Sequence, residues 1–169
     1  LDNWNPWQTY YENGIFDAFP YHGLMLYLLT PFVHLGNFIG LSSLFLKIPL
    51  IIADIGVFII LIKLIPNNEN KIFIYYFLNP IIIYGTYIHS QLDIVPTMLL
   101  FSSIYFLTIQ KKTLSSIFLG LAVATKIHVI IAIPLIVFYI YKKFSLLEVS
   151  KYFLLSLIVV LFFVFSFLF

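Results

Sequence analysis

Apolar residues fill this chain in long runs separated by brief polar stretches, and the runs set the expected elements. Residues 41–64, 72–88, 94–110 and 152–169 are nearly continuous apolar segments, with a shorter pair at 114–125 and 129–141. About twenty apolar residues cross ~30 Å of hydrocarbon as a helix. The run 41–64 is long enough to span, whereas each member of the short pair needs its ends in protein or in a water-filled cavity. Residues 1–21 are polar and aromatic and cannot cross a bilayer. Trp4, Trp7, Tyr10, Tyr11 and Tyr21 are amphipathic rings of the kind that collect at a membrane–water interface. The stretch 22–36 is apolar, short and interrupted by Pro31, which predicts an interfacial or re-entrant segment.

Composition sharpens this picture. Of the 169 residues 62% are hydrophobic and 9% charged, and the mean hydropathy is +1.06. A soluble domain averages about 45–50% apolar and about 25% charged residues. The chain therefore lacks the polar surface of a soluble enzyme, and an all-α, polytopic transmembrane helix bundle is expected. With no cysteine there is no disulfide or zinc-thiolate chemistry. A net charge of +2 gives no reason to expect nucleic acid as a partner. The opening Leu1-Asp2-Asn3 and the apolar end at Phe169 are those expected of a piece of a longer protein. Two regions are expected: 1–40, an outer loop with interfacial or juxtamembrane helices, and 41–169, a bundle of about six helical segments truncated at both ends.

Lysines orient the runs. Lys63 and Lys71 flank one loop, Lys111 and Lys112 form another, and Lys142, Lys143 and Lys151 a third. Positive loops face the cytoplasm, and the spacing works only if 113–141 is a hairpin of two half-length helices. Residues 1–40, the loop 88–93 and the turn at Lys126–His128 then share the non-cytoplasmic face. That face belongs to the cell membrane of a prokaryote or the endoplasmic reticulum of a eukaryote.

Several polar residues stand out against this background. Within 41–64, sixteen Ile, Leu, Val and Phe residues supply roughly −5 to −9 kcal/mol of insertion energy, and Lys47 and Asp54 cost roughly +5 to +7. The helix inserts, but neither charge faces lipid. Seven residues apart, they lie on one face about two turns from each other, too far to pair directly. Each needs its own partner: Lys47 an anion or the interface, Asp54 a neighbouring helix or a polar cavity. Asp93, shortly before Pro96, reads as a helix N-cap with proline in the first turn. His89 and Gln91 beside it add the alternative of a polar site. Lys126 and His128 occupy the hairpin tip, where broken helices line a cavity and cations meet an anionic head group or lipid phosphate. Asn79-Pro80 predicts a kink, and the small residues around Gly120 predict close helix packing. Asp2, Glu12 and Asp17 read, on composition, as solvated loop carboxylates.

The order of these features resembles a known family. LFLKIPLIIADIGVFIIL (44–61) looks like the second-helix motif of GT-C membrane glycosyltransferases. FLNPIIIYGTYIHSQLDIVPTMLL (77–100) resembles their N-P…G-Q-x-D element, with Ser90 in place of the usual glycine. LSSIFLGLAVATKIHVIIAIPLI (114–136) is similar to their half-helix pair. The resemblance covers about residues 2–140 and points to mannosyltransferases related to the enzyme that adds the second mannose of GPI anchors. FPYHGLMLYLL (19–29) is similar to a juxtamembrane stretch of that family, with His22 and Gly23 where prolines are usual.

The resemblance implies an inverting hexosyltransferase that uses a polyprenyl-phosphate sugar donor on the non-cytoplasmic face. The acceptor would be a lipid, glycan or protein hydroxyl. Asp2 takes the position of the catalytic base, accepting the hydroxyl proton as the oxygen attacks the anomeric carbon. Lys47, Lys126 and His128 are the implied phosphate-binding residues, stabilising the leaving lipid phosphate. His89, Gln91 and Asp93, with Tyr21 and His22, are the implied sugar-binding or site-shaping residues. No cofactor is expected, and a divalent metal is compatible with the chemistry but not indicated by the residues. The competing classes are a transporter or channel, which would explain Lys47 and Asp54, and a non-catalytic subunit of a glycan-assembly complex. No inverted repeat of the transporter kind is visible between the two halves.

Overall fold

The structure, a computed structural model, describes residues 6–14 and 19–166, and among these every regular element is helical. We label α1 Pro6–Glu12, α2 Gly23–Ile39 and α3 Ser42–Leu64. A broken helix follows as α4 (69–77) and α5 (80–88), and then α6 Ile94–Thr108 and α7 Lys112–Thr125. A 3-10 turn Ile127–Ala132 leads into α8 Ile133–Lys143, and α9 Leu146–Phe165 closes the fold.

Local chemistry sets the ends. Gly40 adopts a left-handed φ of 76° and closes α2 with its N–H turned back to Asn37 and Gly36. Asn79 is extended, its side chain accepts from the Ile81 N–H at 2.9 Å, and Pro80 starts α5. The expected kink is therefore a clean break between α4 and α5, each ending in a π-helical turn. Lys126 is likewise extended (φ −155°, ψ 129°) and separates α7 from the 3-10 turn, as the hairpin reading anticipates.

Two expectations need correction. Pro31 does not interrupt its segment, because α2 runs through it and gives up only one backbone donor. The last helix begins at Leu146, not 152: Ser145 accepts from the Glu148 N–H, so a Ser-Leu-Leu-Glu cap carries the polar first turn into the helix.

Helix α7 is the hub, packed between α6 and α9 with α2 beside it. Ser115, Ser116, Leu119, Ala122, Ala124 and Thr125 are all buried. The shortest apolar run is thus sheltered by protein, which removes the length requirement of a lipid-facing helix. Buried hydroxyls join the three helices. The Tyr152 hydroxyl meets Ser115 Oγ at 2.7 Å and Ser103 Oγ at 3.0 Å, and Ser156 Oγ donates to the Ser116 carbonyl at 2.9 Å. At Gly120 an added Cβ would lie 2.7 Å from the Ser156 carbonyl oxygen and 2.7 Å from Val159 Cβ. Gly120→Ala is therefore expected to cost about 1–3 kcal/mol, read as a fall in the unfolding midpoint in micelles.

Outside this core many large apolar side chains are exposed. On α3, Ala53, Asp54 and Val57 face inward while Ile51, Ile52, Ile55 and Ile59 are exposed. The broken helix, packed chiefly on α3, exposes Phe73, Ile74, Tyr75, Ile81, Tyr84 and Ile88. Two helices, Ser42–Leu64 and Leu146–Phe165, are long and apolar enough to cross a membrane.

Candidate functional site

Three distant segments meet where α6 begins. The Tyr21 hydroxyl donates to Asp93 Oδ1 at 3.0 Å, and the Lys126 ammonium reaches the same oxygen at 2.5 Å. Lys126 Nζ also stands 4.8 Å from the centre of the Tyr21 ring. The segment before α2 is fastened to the end of α7: the His22 N–H donates to the Thr125 carbonyl at 2.9 Å, and His22 Nδ1 lies 3.2 Å from the Val123 carbonyl. Trp7 Nε1 donates to the Tyr21 carbonyl at 3.1 Å, and Phe19 packs on the Tyr21 ring. Burial raises the Tyr21 pKa well above its ordinary value, and the hydrogen bond to Asp93 and its charge add to the rise. Tyr21 therefore stays a neutral donor to Asp93 at physiological pH.

This geometry corrects the N-cap reading of Asp93. Its backbone is already helical (φ −63°, ψ −18°) and its carboxylate caps nothing, being held by Tyr21 and Lys126. An ion pair with a cation outcompetes a capping hydrogen bond to a neutral amide. Only the Asp93 carbonyl serves the helix start, accepting from Thr97 Oγ1 at 2.7 Å.

Lys47 and Asp54 find separate partners, both on Tyr87. Lys47 Nζ donates to the Tyr87 carbonyl at 3.1 Å. Asp54 is 1% exposed, and its oxygens accept from the Tyr76 hydroxyl at 2.6 Å and from the Tyr87 hydroxyl. A buried carboxylate is tolerable when both oxygens are so occupied. Tyr76 and Tyr87 were not identifiable as partners, since tyrosines are common in apolar runs. The geometric hint was that 72–88 follows 41–64 directly and packs back on it.

Beside Lys47 lies a cavity of about 690 Å³ between α2, α3 and the loop 89–93. Leu26, Leu29, Val33, Leu46 and Leu50 give it apolar walls, Lys47 and His34 its basic groups, and Phe19, Ser90 and Leu92 its border with the Asp93 cluster. The remaining predicted residues stay apart. His89 rests edge-on against Tyr84, exposed Gln91 folds toward Gly85, and His128 is exposed on the 3-10 turn. Asp2, the expected base, lies outside the described residues. Among the described residues no three His, Asp or Glu side chains gather to hold a metal ion.

The described residues thus form an all-helical structure with two helices long and apolar enough to cross a membrane and a polar cluster bordering an apolar cavity. No protein-family model, curated protein or solved structure matches it.

Proposed function

We propose that this chain belongs to an integral-membrane glycosyltransferase that moves a hexose, by its resemblance mannose, from a polyprenyl-phosphate donor to an acceptor hydroxyl. The observation that carries this reading is the cavity. A lipid phosphate needs apolar space for its isoprene chain and a fixed cation for its head, and Lys47 stands on the wall of a space with a mostly apolar lining. The outward-facing Ile and Phe side chains and the two long helices support a multi-pass arrangement in lipid. Residues 1–40 and 88–93 would then lie on the non-cytoplasmic side.

In this reading the acceptor oxygen attacks the anomeric carbon, Asp2 takes its proton, and the bond to the phosphate oxygen breaks. Lys47 stabilises the charge gained by the leaving phosphate. Lys126 is committed to Asp93, so that pair serves the sugar hydroxyls. Transport is less well supported, because Asp54, the one carboxylate buried among the described helices, has both oxygens occupied by tyrosines.

The test is sugar transfer from polyprenyl-phosphate mannose by the full-length protein in liposomes. Transfer is expected for the wild type and lost in Asp2→Asn with donor binding retained, while Lys47→Ala weakens donor binding itself. A protein that binds no polyprenyl-phosphate sugar is not this enzyme.

A further inference from the structure

At the end of the bundle away from Asp93, lysines crowd together. Lys111 and Lys112 begin α7, Lys142 and Lys143 end α8, and Lys151 lies on the second turn of α9. Two of these side chains share a ring and two share a carboxylate. Lys112 Nζ and Lys143 Nζ lie 4.5 Å and 6.0 Å from the centre of one ring, Phe144. Lys112 and Lys151 both reach Glu148, Lys151 at 3.3 Å. Lys142 stands 5.1 Å from the centre of the Phe138 ring.

Lys112 and Lys151 thus share the one carboxylate of Glu148, and Lys143 meets Lys112 at the Phe144 ring. Aromatic rings hold several of them by cation–π contact, which fixes the cations but does not cancel their charge. Lys111 and Lys112 also sit at the positive end of the α7 dipole, the less favourable end for a cation. The cluster is short of negative charge. A cleft of about 150 Å³ opens between Lys112, Lys151 and Glu148, lined also by Thr113, Ser116 and Tyr152. Leu155 also lines it, and exposed Leu146 and Leu147 stand on the first turn of α9 next to Glu148. Cations over a polar cleft, with apolar side chains alongside, match the two halves of an acidic phospholipid: phosphate on the lysines, acyl chain on the leucines.

We propose that this lysine cradle binds the headgroup of an acidic phospholipid, and that Glu148 is a built-in competitor that occupies Lys112 and Lys151 when the lipid is absent. The inference uses the membrane placement but not the sugar chemistry. Removing the competitor should therefore tighten binding, which a structural ion pair would not do.

The experiment is native mass spectrometry of the full-length protein released from micelles containing phosphatidylglycerol and phosphatidylcholine. One phosphatidylglycerol is expected to be retained in preference to phosphatidylcholine, with retention falling as salt rises. Glu148→Gln should raise its affinity roughly fivefold and Lys112→Gln lower it roughly fivefold. Lys151→Gln, at the most exposed of the paired lysines, provides a second lowering variant without touching the core. Equal retention of both lipids, or unchanged or weaker binding in Glu148→Gln, overturns the proposal. Displacement by millimolar inorganic phosphate overturns it in favour of a soluble anion. Since no sugar donor is involved, either outcome leaves the transferase reading to its own assay.

Discussion

Asp93→Ala is expected to loosen the whole meeting point of the first segment, the α5–α6 loop and the α7 break. The Lys126 side chain is only 19% exposed, and without Asp93 its charge has no counter-ion. Breaking a fully buried pair costs about 3–5 kcal/mol. Asp93 is 42% exposed, so water screens part of this and about 1–3 kcal/mol is expected. The Tyr21 hydroxyl loses its acceptor in the same step. Trp7, bonded to the Tyr21 carbonyl, places a fluorophore at the site, and its emission should report the change. The double variant Asp93→Ala with Lys126→Met should lose less stability than the two singles summed, because it leaves no orphan charge. Strict additivity would mean that the two residues do not interact. In the transfer assay both singles should fall by about 10²–10³ if the pair orients the reacting sugar.

The second large effect is expected at Asp54. Asp54→Ala takes the acceptor from the Tyr76 and Tyr87 hydroxyls; both tyrosines are half-buried, so the loss is expected to be about 1–3 kcal/mol for the pair. Asp54→Asn keeps an acceptor and should cost less. The consequence should travel further than stability. Tyr87 binds Asp54 through its hydroxyl and Lys47 through its carbonyl, so releasing the first end frees the second. The Lys47 ammonium should then react faster with an amine-specific reagent in Asp54→Ala than in the wild type. Peptide mapping of the labelled lysines would measure this. Equal Lys47 labelling in both proteins would show that Tyr87 does not hold that lysine.

Much of the architecture was legible because it depends on short-range chemistry. Asn79-Pro80 marks a local disturbance, expected as a kink and found as a break, since the proline lacks an N–H and the asparagine caps the helix that the proline begins. The break at Lys126 is fixed by counting lysine-marked loops against run lengths. The Ser145–Glu148 cap is equally local: its Ser-x-x-Glu signature, rather than the start of the apolar run, marks where the last helix begins. Pro31 shows the opposite limit: a single missing donor in an otherwise continuous apolar helix is tolerated, and local rules overstate its effect.

The candidate site was legible only as an inventory. Tyr21, His22, Asp93 and Lys126 each stand out in the sequence, yet their meeting depends on how the segments before α2, before α6 and after α7 pack. The same sequence features at His89, Gln91 and His128 led to no shared contact. Taken alone, the sequence determined the composition, most of the helical runs, the break at Lys126 and the need of Lys47 and Asp54 for separate partners, because these follow from periodicity, length and the cost of charge in an apolar setting. The tertiary structure decided the partners: Tyr87 between Lys47 and Asp54, Lys126 rather than a helix end for Asp93, and α7 rather than a longer helix at the centre. Contacts between residues 22, 33 or 72 positions apart are set by packing, which no local pattern encodes.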